Sequence, residues 1–243
     1  VINRMGFNNR GQAAALPRLK GFRTHRQKRG IIGVNVGANK DSPDRIADYA
    51  SGVALMAPVA DYLTINISSP NTPGLRTLQD EGALTGLLDA VTTARPVGGP
   101  PVFLKVAPDL AAADIDAIAR ISSGLVDALI VANTTIGRPP LVSRYGGESG
   151  GLSGAPLRDL AQQRLVDFRK ATGGAMPLIA AGGIACADHA YARIRAGASL
   201  VQLYSALVYE GPGLARRMNK DLAALLRRDG FGSVGEAIGA DCK

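Results

Sequence analysis

The sequence predicts an α/β protein of the (β/α)8 TIM-barrel class, with about six of the eight strand–helix units present in its 243 residues. Short apolar, β-branched runs alternate along the chain with longer segments of helical period, which is typical of parallel strands joined by crossover helices. The units follow one another without a reversal, which favours a barrel over the alternative, an open sheet. Because a full barrel takes about 250 residues, we expect two further units upstream of Val1.

Each predicted strand is apolar almost throughout, because parallel strands are buried on both faces. The strands are Ile31–Val36, Tyr62–Ile67, Val102–Val106, Ala128–Ala132, Leu178–Ala181 and Leu200–Tyr204. Amphipathic helices lie between them. Ser42 is the predicted N-cap of the first of these helices, and later helices are predicted to end at Gly173 and Gly230, where glycine can turn the chain away. Residues 136–154 are predicted to form an elaborated loop.

Composition excludes several classes of protein. The two cysteines, Cys186 and Cys242, lack metal-type spacing, which argues against a disulfide framework, an iron–sulfur site or a zinc site. No apolar run reaches the roughly 18 residues that a membrane-spanning helix needs. Net charge is +8, and the densest basic run contains Arg18, Lys20, Arg23, Arg26, Lys28 and Arg29. We interpret this run as a solvated helix face and loop; the alternatives are binding to an anionic membrane surface or to nucleic acid.

Polar residues or glycines occur at the end of every predicted strand, which is where barrel enzymes build their active sites. They are Asn35, Asn66 with Ser68-Ser69-Pro70-Asn71, Lys105, Asn133-Thr134-Thr135, Gly182-Gly183 and Tyr204-Ser205. One such residue is usually a turn former or a helix cap. Six in succession favour a site for a planar ligand with many hydrogen-bonding groups. Carboxylates are scarce among them, so we predict no metal site.

Three of these strand ends suggest a bound anionic cofactor. Lys105 lies inside an apolar strand, where an unpaired charge is costly, and no carboxylate partner is obvious in the sequence. A buried carboxylate is the structural alternative; we favour a lysine that stabilises negative charge on a cofactor. Gly182-Gly183 and Tyr204-Ser205, at the ends of the last two strands, predict a phosphate site. Barrels often bind phosphate after their last two strands.

Ser69 is the candidate for the chemistry. A serine nucleophile needs a histidine, but His25 lies in the basic run and His189 lies early in a predicted helix. The sequence therefore disfavours a hydrolase. Ser69 can still act as a weak general base toward a carbon acid.

Seven motifs resemble the signatures of the dihydroorotate dehydrogenase family and occur in the family's order. They are NRMGFNN at 3–9, GVNVG at 33–37, NISSPNTPGLR at 66–76, KVAPDL at 105–110, NTT at 133–135, GGLSG at 150–154 and GASLVQLYS at 197–205. The stretch at 66–71 is the most specific. The family's soluble type typically carries cysteine as the base in this loop. With serine at position 69, this chain instead resembles the membrane-associated, quinone-linked type.

The resemblance implies an FMN-binding barrel domain over residues 1–243, incomplete at its N-terminus, that oxidises dihydroorotate to orotate in pyrimidine (UMP) synthesis. Ser69 would take the C5 proton while hydride passes from C6 to flavin N5, under a lid formed by the loop from Ser69 to about Gln79. The implied substrate-binding residues are Asn3, Arg4, Met5, Gly6, Phe7, Asn71, Asn133 and Thr134. The implied cofactor-binding residues are Asn35, Asn66, Lys105, Gly154, Gly183, Tyr204 and Ser205.

The resemblance also implies a quinone as electron acceptor and no nucleic-acid partner. It implies peripheral association with the bacterial cytoplasmic membrane, or alternatively the mitochondrial inner membrane, through an N-terminal helical pair not found in these residues. The chain departs from the family at Ala38, where lysine is frequent, and at Ala132, where threonine would add one flavin hydrogen bond. The alternatives are another FMN barrel such as a tRNA-modifying dihydrouridine synthase, an inactive fragment of the enzyme, and a non-enzymatic basic protein that binds nucleic acid or membranes.

Overall fold

The computed structural model describes residues 1–25 and 30–242. Its main sheet has six strands: β2 (Gly33–Val36), β3 (Tyr62–Asn66), β4 (Val102–Val106), β5 (Ala128–Val131), β7 (Leu178–Ala181) and β8 (Ala198–Gln202). The spatial order is the chain order, and every neighbouring pair is parallel. The predicted α/β class with consecutive parallel strands is confirmed.

Helices connect the strands and cover one face of the sheet. They are α1 (Gln12–His25), α2 (Arg45–Met56), α3 (Glu81–Ala94), α4 (Ala112–Ser122), α5 (Arg158–Ala171), α6 (Ala187–Arg195), α7 (Ser205–Glu210), α8 (Leu214–Arg228) and α9 (Val234–Ala237). Strand residues such as Leu63, Leu104 and Leu129 form the main core together with α2 to α5. None of these leucines is exposed to solvent, as expected for strands buried under helices.

The opposite face of the sheet is the interior of the barrel. Side chains alternate between the two faces along a strand, and the interior residues of β5 and β7 form a separate apolar cluster that includes Ile130 and Ile179. Asn66, Lys105 and Ile130 are successive partners in register across β3, β4 and β5. Asn66 and Lys105 therefore face the barrel interior beside its apolar cluster.

Several predicted boundaries are wrong. β3 and β5 end one residue before the predicted Ile67 and Ala132, and β8 begins at Ala198 rather than Leu200. Ser42 does not cap α2; Asp44 does, because its carboxylate accepts a hydrogen bond of 2.9 Å from the Ala47 amide. The first strand begins at Gly33 rather than Ile31, since the Ile32 amide donates to a side-chain carboxylate instead of a neighbouring strand. The last strand, β8, ends before Tyr204, whose backbone has turned to begin α7.

A second, two-stranded sheet positions the start of the chain. β1 (Ile2–Asn3) pairs antiparallel with β6 (Gly151–Leu152), and Asn3 is opposite Gly151. The predicted irregular stretch of residues 136–154 therefore contains a short strand. This pairing brings the N-terminal motif to the carboxyl end of β5.

The basic run is described only in part. Arg26, Lys28, Arg29 and the His25 side chain lie outside the described residues. Arg23 contacts the barrel: its Nε donates to the Val59 carbonyl at 3.0 Å, and it forms an ion pair of 2.8 Å with Asp61. Across the described ranges, no helix combines the length and the apolar character needed to cross a bilayer.

Candidate active site

The loop after β3 joins two predicted ligand-binding asparagines through a serine. The Asn66 side-chain oxygen accepts from the Ser68 amide at 3.2 Å and from the Ser68 hydroxyl at 2.8 Å, and Asn133 Nδ2 donates to that hydroxyl at 2.8 Å. The buried Tyr49 hydroxyl donates to the Asn66 carbonyl at 2.7 Å. Ser68 and Tyr49 thus orient predicted site residues, although sequence reasoning assigned neither of them a role.

Ser69 is buried, with 8% of its surface exposed, in the same loop. Its Oγ accepts a hydrogen bond of 3.3 Å from the Asn71 amide. Among the side chains that the structure describes, no imidazole or carboxylate forms a hydrogen bond with this hydroxyl. His189 is engaged elsewhere, because its Nδ1 accepts from the Ala185 amide. This environment suits a weak base better than a triad nucleophile.

The N-terminal segment lies against this loop. Asn71 Nδ2 donates to the Asn3 carbonyl at 3.2 Å, to the Asn3 side-chain oxygen at 3.1 Å and to the Met5 carbonyl at 2.8 Å. Phe7 lies over Gly37, where a Cβ atom would stand 2.5 Å from the ring. Asn3 and Asn71, two predicted substrate-binding residues that are 68 positions apart along the chain, thus meet at one end of the barrel.

The side-chain hydroxyl of Thr134 lacks a hydrogen-bond partner among the described residues. Its Oγ1 is buried and forms no hydrogen bond with any described residue. The side chain lies tightly against Gly151, where a Cβ would be 2.2 Å from Oγ1. A buried hydroxyl without a partner is costly, so this site fits a ligand that would supply the missing hydrogen bond.

Lys105 also lacks an anionic partner among the described residues. Burial lowers the pKa of its ammonium group below the ordinary value of 10.5 because the charged form loses hydration. No carboxylate or carbonyl in the described part of the chain contacts its Nζ. The predicted structural alternative, a buried carboxylate partner, is therefore absent from the described residues, and the site fits an anionic group at this position.

Three loops meet at the predicted phosphate end. The hydroxyl groups of Ser153 and Ser205 lie 2.8 Å apart, and Arg158 Nε donates to the Gly183 carbonyl at 3.2 Å. Gly154 has a φ of +85°, and a Cβ there would meet only the N-terminal nitrogen, at 3.8 Å. Gly183 has a φ of +72° and lies too close to Arg158 for any side chain. The open space beside Gly154 fits a phosphate group that is bound by backbone amides.

Other predicted site residues are more exposed. Arg4 forms an exposed ion pair of 2.7 Å with Glu148, while Met5 and Tyr204 are 66% and 81% exposed. Asn35 and Gly6 are likewise exposed. For these residues the predicted ligand contacts stay predictions.

An arginine–aspartate pair, which sequence reasoning did not single out, connects three of the loops. Arg76 donates to the Ser68 carbonyl at 3.0 Å and to the Thr134 carbonyl at 2.8 Å, and it pairs with Asp109 at 2.8 Å. Asp109 also accepts from the Thr135 hydroxyl. Arg76 lies in the motif at 66–76 and Asp109 in the motif at 105–110. The opposite charges of these two residues were the signal available in the sequence.

Two surface cavities lie away from these residues. One, of about 650 Å³, is lined by residues of α4, Asp127 and Pro177 near the amino ends of the strands. The other, of about 550 Å³, lies between α5 and α6 and includes Arg169 and Cys242. Neither contains a predicted site residue.

Comparison with known proteins gives a consistent result. The family model for dihydroorotate dehydrogenase matches residues 1–226. A protein of Erythrobacter litoralis named dihydroorotate dehydrogenase (quinone) is 66% identical over 243 residues, which cover 99% of this chain and 70% of that relative. One of the same name from Sphingopyxis alaskensis is 63% identical over 246 residues, covering 99% and 68% of the two chains.

Solved structures agree with these relatives. The crystal structure of DHODH in complex with ferulenol from Eimeria tenella superposes with a TM-score of 0.94 at 39% identity, covering 99% of this chain and 71% of that one. The ligand-free form from the same organism gives a TM-score of 0.93 at 40% identity, covering 100% and 74%. Together with the parallel strands, this likeness confirms the TIM-barrel-type fold.

Proposed function

Because the chain belongs to the dihydroorotate dehydrogenase family, we propose that it oxidises dihydroorotate to orotate with FMN and a quinone, in pyrimidine (UMP) synthesis. The observation that carries the proposal is the strand-end site in which the buried Ser69 shares one loop with Asn66, a predicted flavin contact, and Asn71, a predicted substrate contact. The quinone-linked type is supported by the names of the relatives and by serine, not cysteine, at position 69.

The proposed FMN site runs across the carboxyl ends of the strands. A bound flavin would supply the hydride acceptor. Lys105 offers an unpaired ammonium group for the negative charge that hydride transfer brings, and burial strengthens this interaction. The proposed contacts are Asn35, Asn66, Lys105, Gly154, Gly183, Tyr204 and Ser205. The open glycine at 154 and the Ser153–Ser205 contact support binding of the phosphate at this end.

Proton transfer is the proposed role of Ser69. Oxidation removes two hydrogens from adjacent carbons of the substrate: a bound flavin would accept the hydride from C6, and Ser69 Oγ would take the proton from C5 and pass it to solvent. Burial of the loop limits access of water to the reacting carbon. The proposed substrate contacts are Asn3, Arg4, Met5, Gly6, Phe7, Asn71, Asn133 and Thr134. The unpartnered Thr134 hydroxyl supports this assignment.

Peripheral association with the bacterial cytoplasmic membrane is part of the proposal, since a quinone acceptor is lipid-soluble. The similarity to proteins of the bacteria Erythrobacter litoralis and Sphingopyxis alaskensis supports this location over the mitochondrial inner membrane.

The test is an anaerobic visible spectrum of the purified protein before and after addition of dihydroorotate. We expect the flavin band to bleach and to return when a quinone is added. A flavin that stays oxidised would favour another flavin barrel. If the protein binds no flavin but shifts the electrophoretic mobility of DNA or RNA in a salt-sensitive manner, the result would favour a basic nucleic-acid-binding protein.

Ser69→Ala tests the base. We expect the variant to retain flavin and to lose about 10²- to 10⁴-fold in the rate of flavin reduction, which is the usual contribution of a general base. Ser123→Ala, on an exposed position after α4, is the matched control and should react at the wild-type rate. Normal turnover in Ser69→Ala would contradict the proposal that Ser69 is the general base.

A further inference from the structure

We propose that Arg76 is a positioning residue: its guanidinium holds the Ser69 loop against the loops after β4 and β5, so that the Ser69 hydroxyl is aligned with the substrate C5 proton. The inference rests on the proposed function. It assigns Arg76 no contact with substrate or flavin. Arg76 acts through its hydrogen bonds to the main-chain carbonyls of Ser68 and Thr134, which lie on two different loops of the site.

The two carbonyl contacts of Arg76 are placed on either side of the proposed chemistry. Nε donates to the Ser68 carbonyl at 3.0 Å, and Nη2 donates to the Thr134 carbonyl at 2.8 Å. Ser68 directly precedes the proposed base, and Thr134 is a proposed substrate contact. Since both bonds go to main-chain oxygens 66 positions apart along the chain, one side chain sets the separation of two loops.

Asp109 fixes the direction of Arg76. Its carboxylate pairs with Nη1 at 2.8 Å and also accepts from the Thr135 hydroxyl and from the Ile136 amide, the latter at 3.1 Å. The side chains of Arg76 and Asp109 are only 21% and 20% exposed. A pair shielded to this degree is screened less by water and salt than a surface pair.

The arrangement requires a guanidinium. Three different nitrogens of Arg76 serve three acceptors on three loops. A lysine carries the same charge, but its single ammonium on a flexible stem cannot present donors in a fixed planar fork. Arg76→Lys should therefore keep the charge and lose the alignment. Gln79 supports the same loop separately, because its side-chain oxygen accepts from the Ala107 amide at 2.9 Å.

The experiment compares Arg76→Lys and Asp109→Asn with a matched control, Arg95→Lys, in the flavin-loaded protein. Arg95 also pairs with an aspartate, Asp127, at 3.0 Å and donates to a carbonyl, but it lies at the amino end of β4. Anaerobic flavin reduction is followed with dihydroorotate deuterated at C5 or at C6.

For Arg76→Lys we expect full flavin content and a reduction rate about 10²-fold lower, the usual effect of a misplacement of about 1 Å. Because proton abstraction alone is impaired, the C5 isotope effect should rise relative to the C6 effect. Asp109→Asn should shift the same ratio by a smaller factor, and Arg95→Lys should match the wild type. An unchanged ratio, or loss of flavin from Arg76→Lys, would overturn the proposal.

A second readout needs neither ligand nor turnover. Amide hydrogen exchange of residues 68–79 in the ligand-free protein should accelerate in Arg76→Lys and stay unchanged in Arg95→Lys. Protection equal to wild type in this segment would also overturn the positioning role. If the wild-type flavin is not reduced by dihydroorotate, the proposed function itself fails, whereas normal wild-type reduction with an unaffected Arg76→Lys rejects the positioning role alone.

Discussion

Replacing Lys105 by methionine tests the central electrostatic feature of the site. The change keeps the length of the side chain and removes its charge. Lys105 is partly buried and has no anionic partner among the described residues, and this burial lowers the pKa of its ammonium group. Since a buried charged group without a partner costs about 1–3 kcal/mol and Lys105 is partly buried, we expect the ligand-free variant to be more stable than the wild type by up to about that amount.

The sign of the pH dependence follows from the lowered pKa. Between the pKa of the folded chain and 10.5, the unfolded chain binds more protons than the native one, so native stability rises with pH in this window. Below the folded pKa the full cost is present, and above 10.5 it is gone. The stability advantage of Lys105→Met should therefore be largest at neutral pH and should shrink as pH approaches 10.5.

The assay is thermal unfolding of the ligand-free protein at several pH values, with about 2–4 °C expected for each kcal/mol in a chain of this size. Lys220→Met, on an exposed face of α8, is the control and should change little. A lower melting temperature for Lys105→Met at neutral pH would refute the reasoning, because it would show that the ammonium group is paired and stabilising.

The same variant should lose function while it gains stability. A charge-assisted hydrogen bond contributes about 1.5–3 kcal/mol, which corresponds to a rate of flavin reduction about 10- to 150-fold lower. Stopped-flow reduction with dihydroorotate measures this rate. An unchanged rate would show that Lys105 does not face the negative charge that develops during hydride transfer.

Two further substitutions test the local geometry by urea unfolding. Gly183→Ala should lower the free energy of unfolding by about 2–5 kcal/mol. The strain of a positive φ accounts for about 1–2 kcal/mol of this, and a contact of 2.5 Å with Arg158 Cα adds the rest. Gly173→Ala is the control, because Gly173 has a φ of +57° and nothing within 4 Å, so this variant should show the strain alone. Equal costs would contradict the close approach. Tyr49→Phe should cost about 1–3 kcal/mol, since it leaves the buried Asn66 carbonyl without its donor; unaltered stability would disprove that bond.

The fold class and the position of the site could be predicted because both depend on local pattern. Apolar runs such as Leu178–Ala181 carry the signature of buried parallel strands, and polar residues at successive strand ends must share one edge of a parallel sheet. Lys105 stood out because a charge within an apolar run is costly wherever the strand packs. The roles of Ser69 and its neighbours came from resemblance, since no spacing rule identifies a serine base.

Boundaries and caps were less predictable, because neighbouring candidates compete for the same amides. Ser42 and Asp44 both suit an N-cap, and the backbone geometry selects Asp44. The β1–β6 pair is two residues long on each side, which is too short for any alternation to appear. Its register depends on where the 136–154 loop returns to the barrel.

The sequence by itself determined the α/β barrel class, the family and the chemical character of each strand end, because these follow from periodicity, composition and motif order. Only the tertiary structure decided which side chains meet: Asn71 with Asn3, Ser153 with Ser205, and Arg76 with Asp109. These partners lie on different loops, and their contacts depend on the order and register of the strands that carry them. A guanidinium that reaches three loops is a property of the assembled barrel, so no single segment of the sequence encodes it.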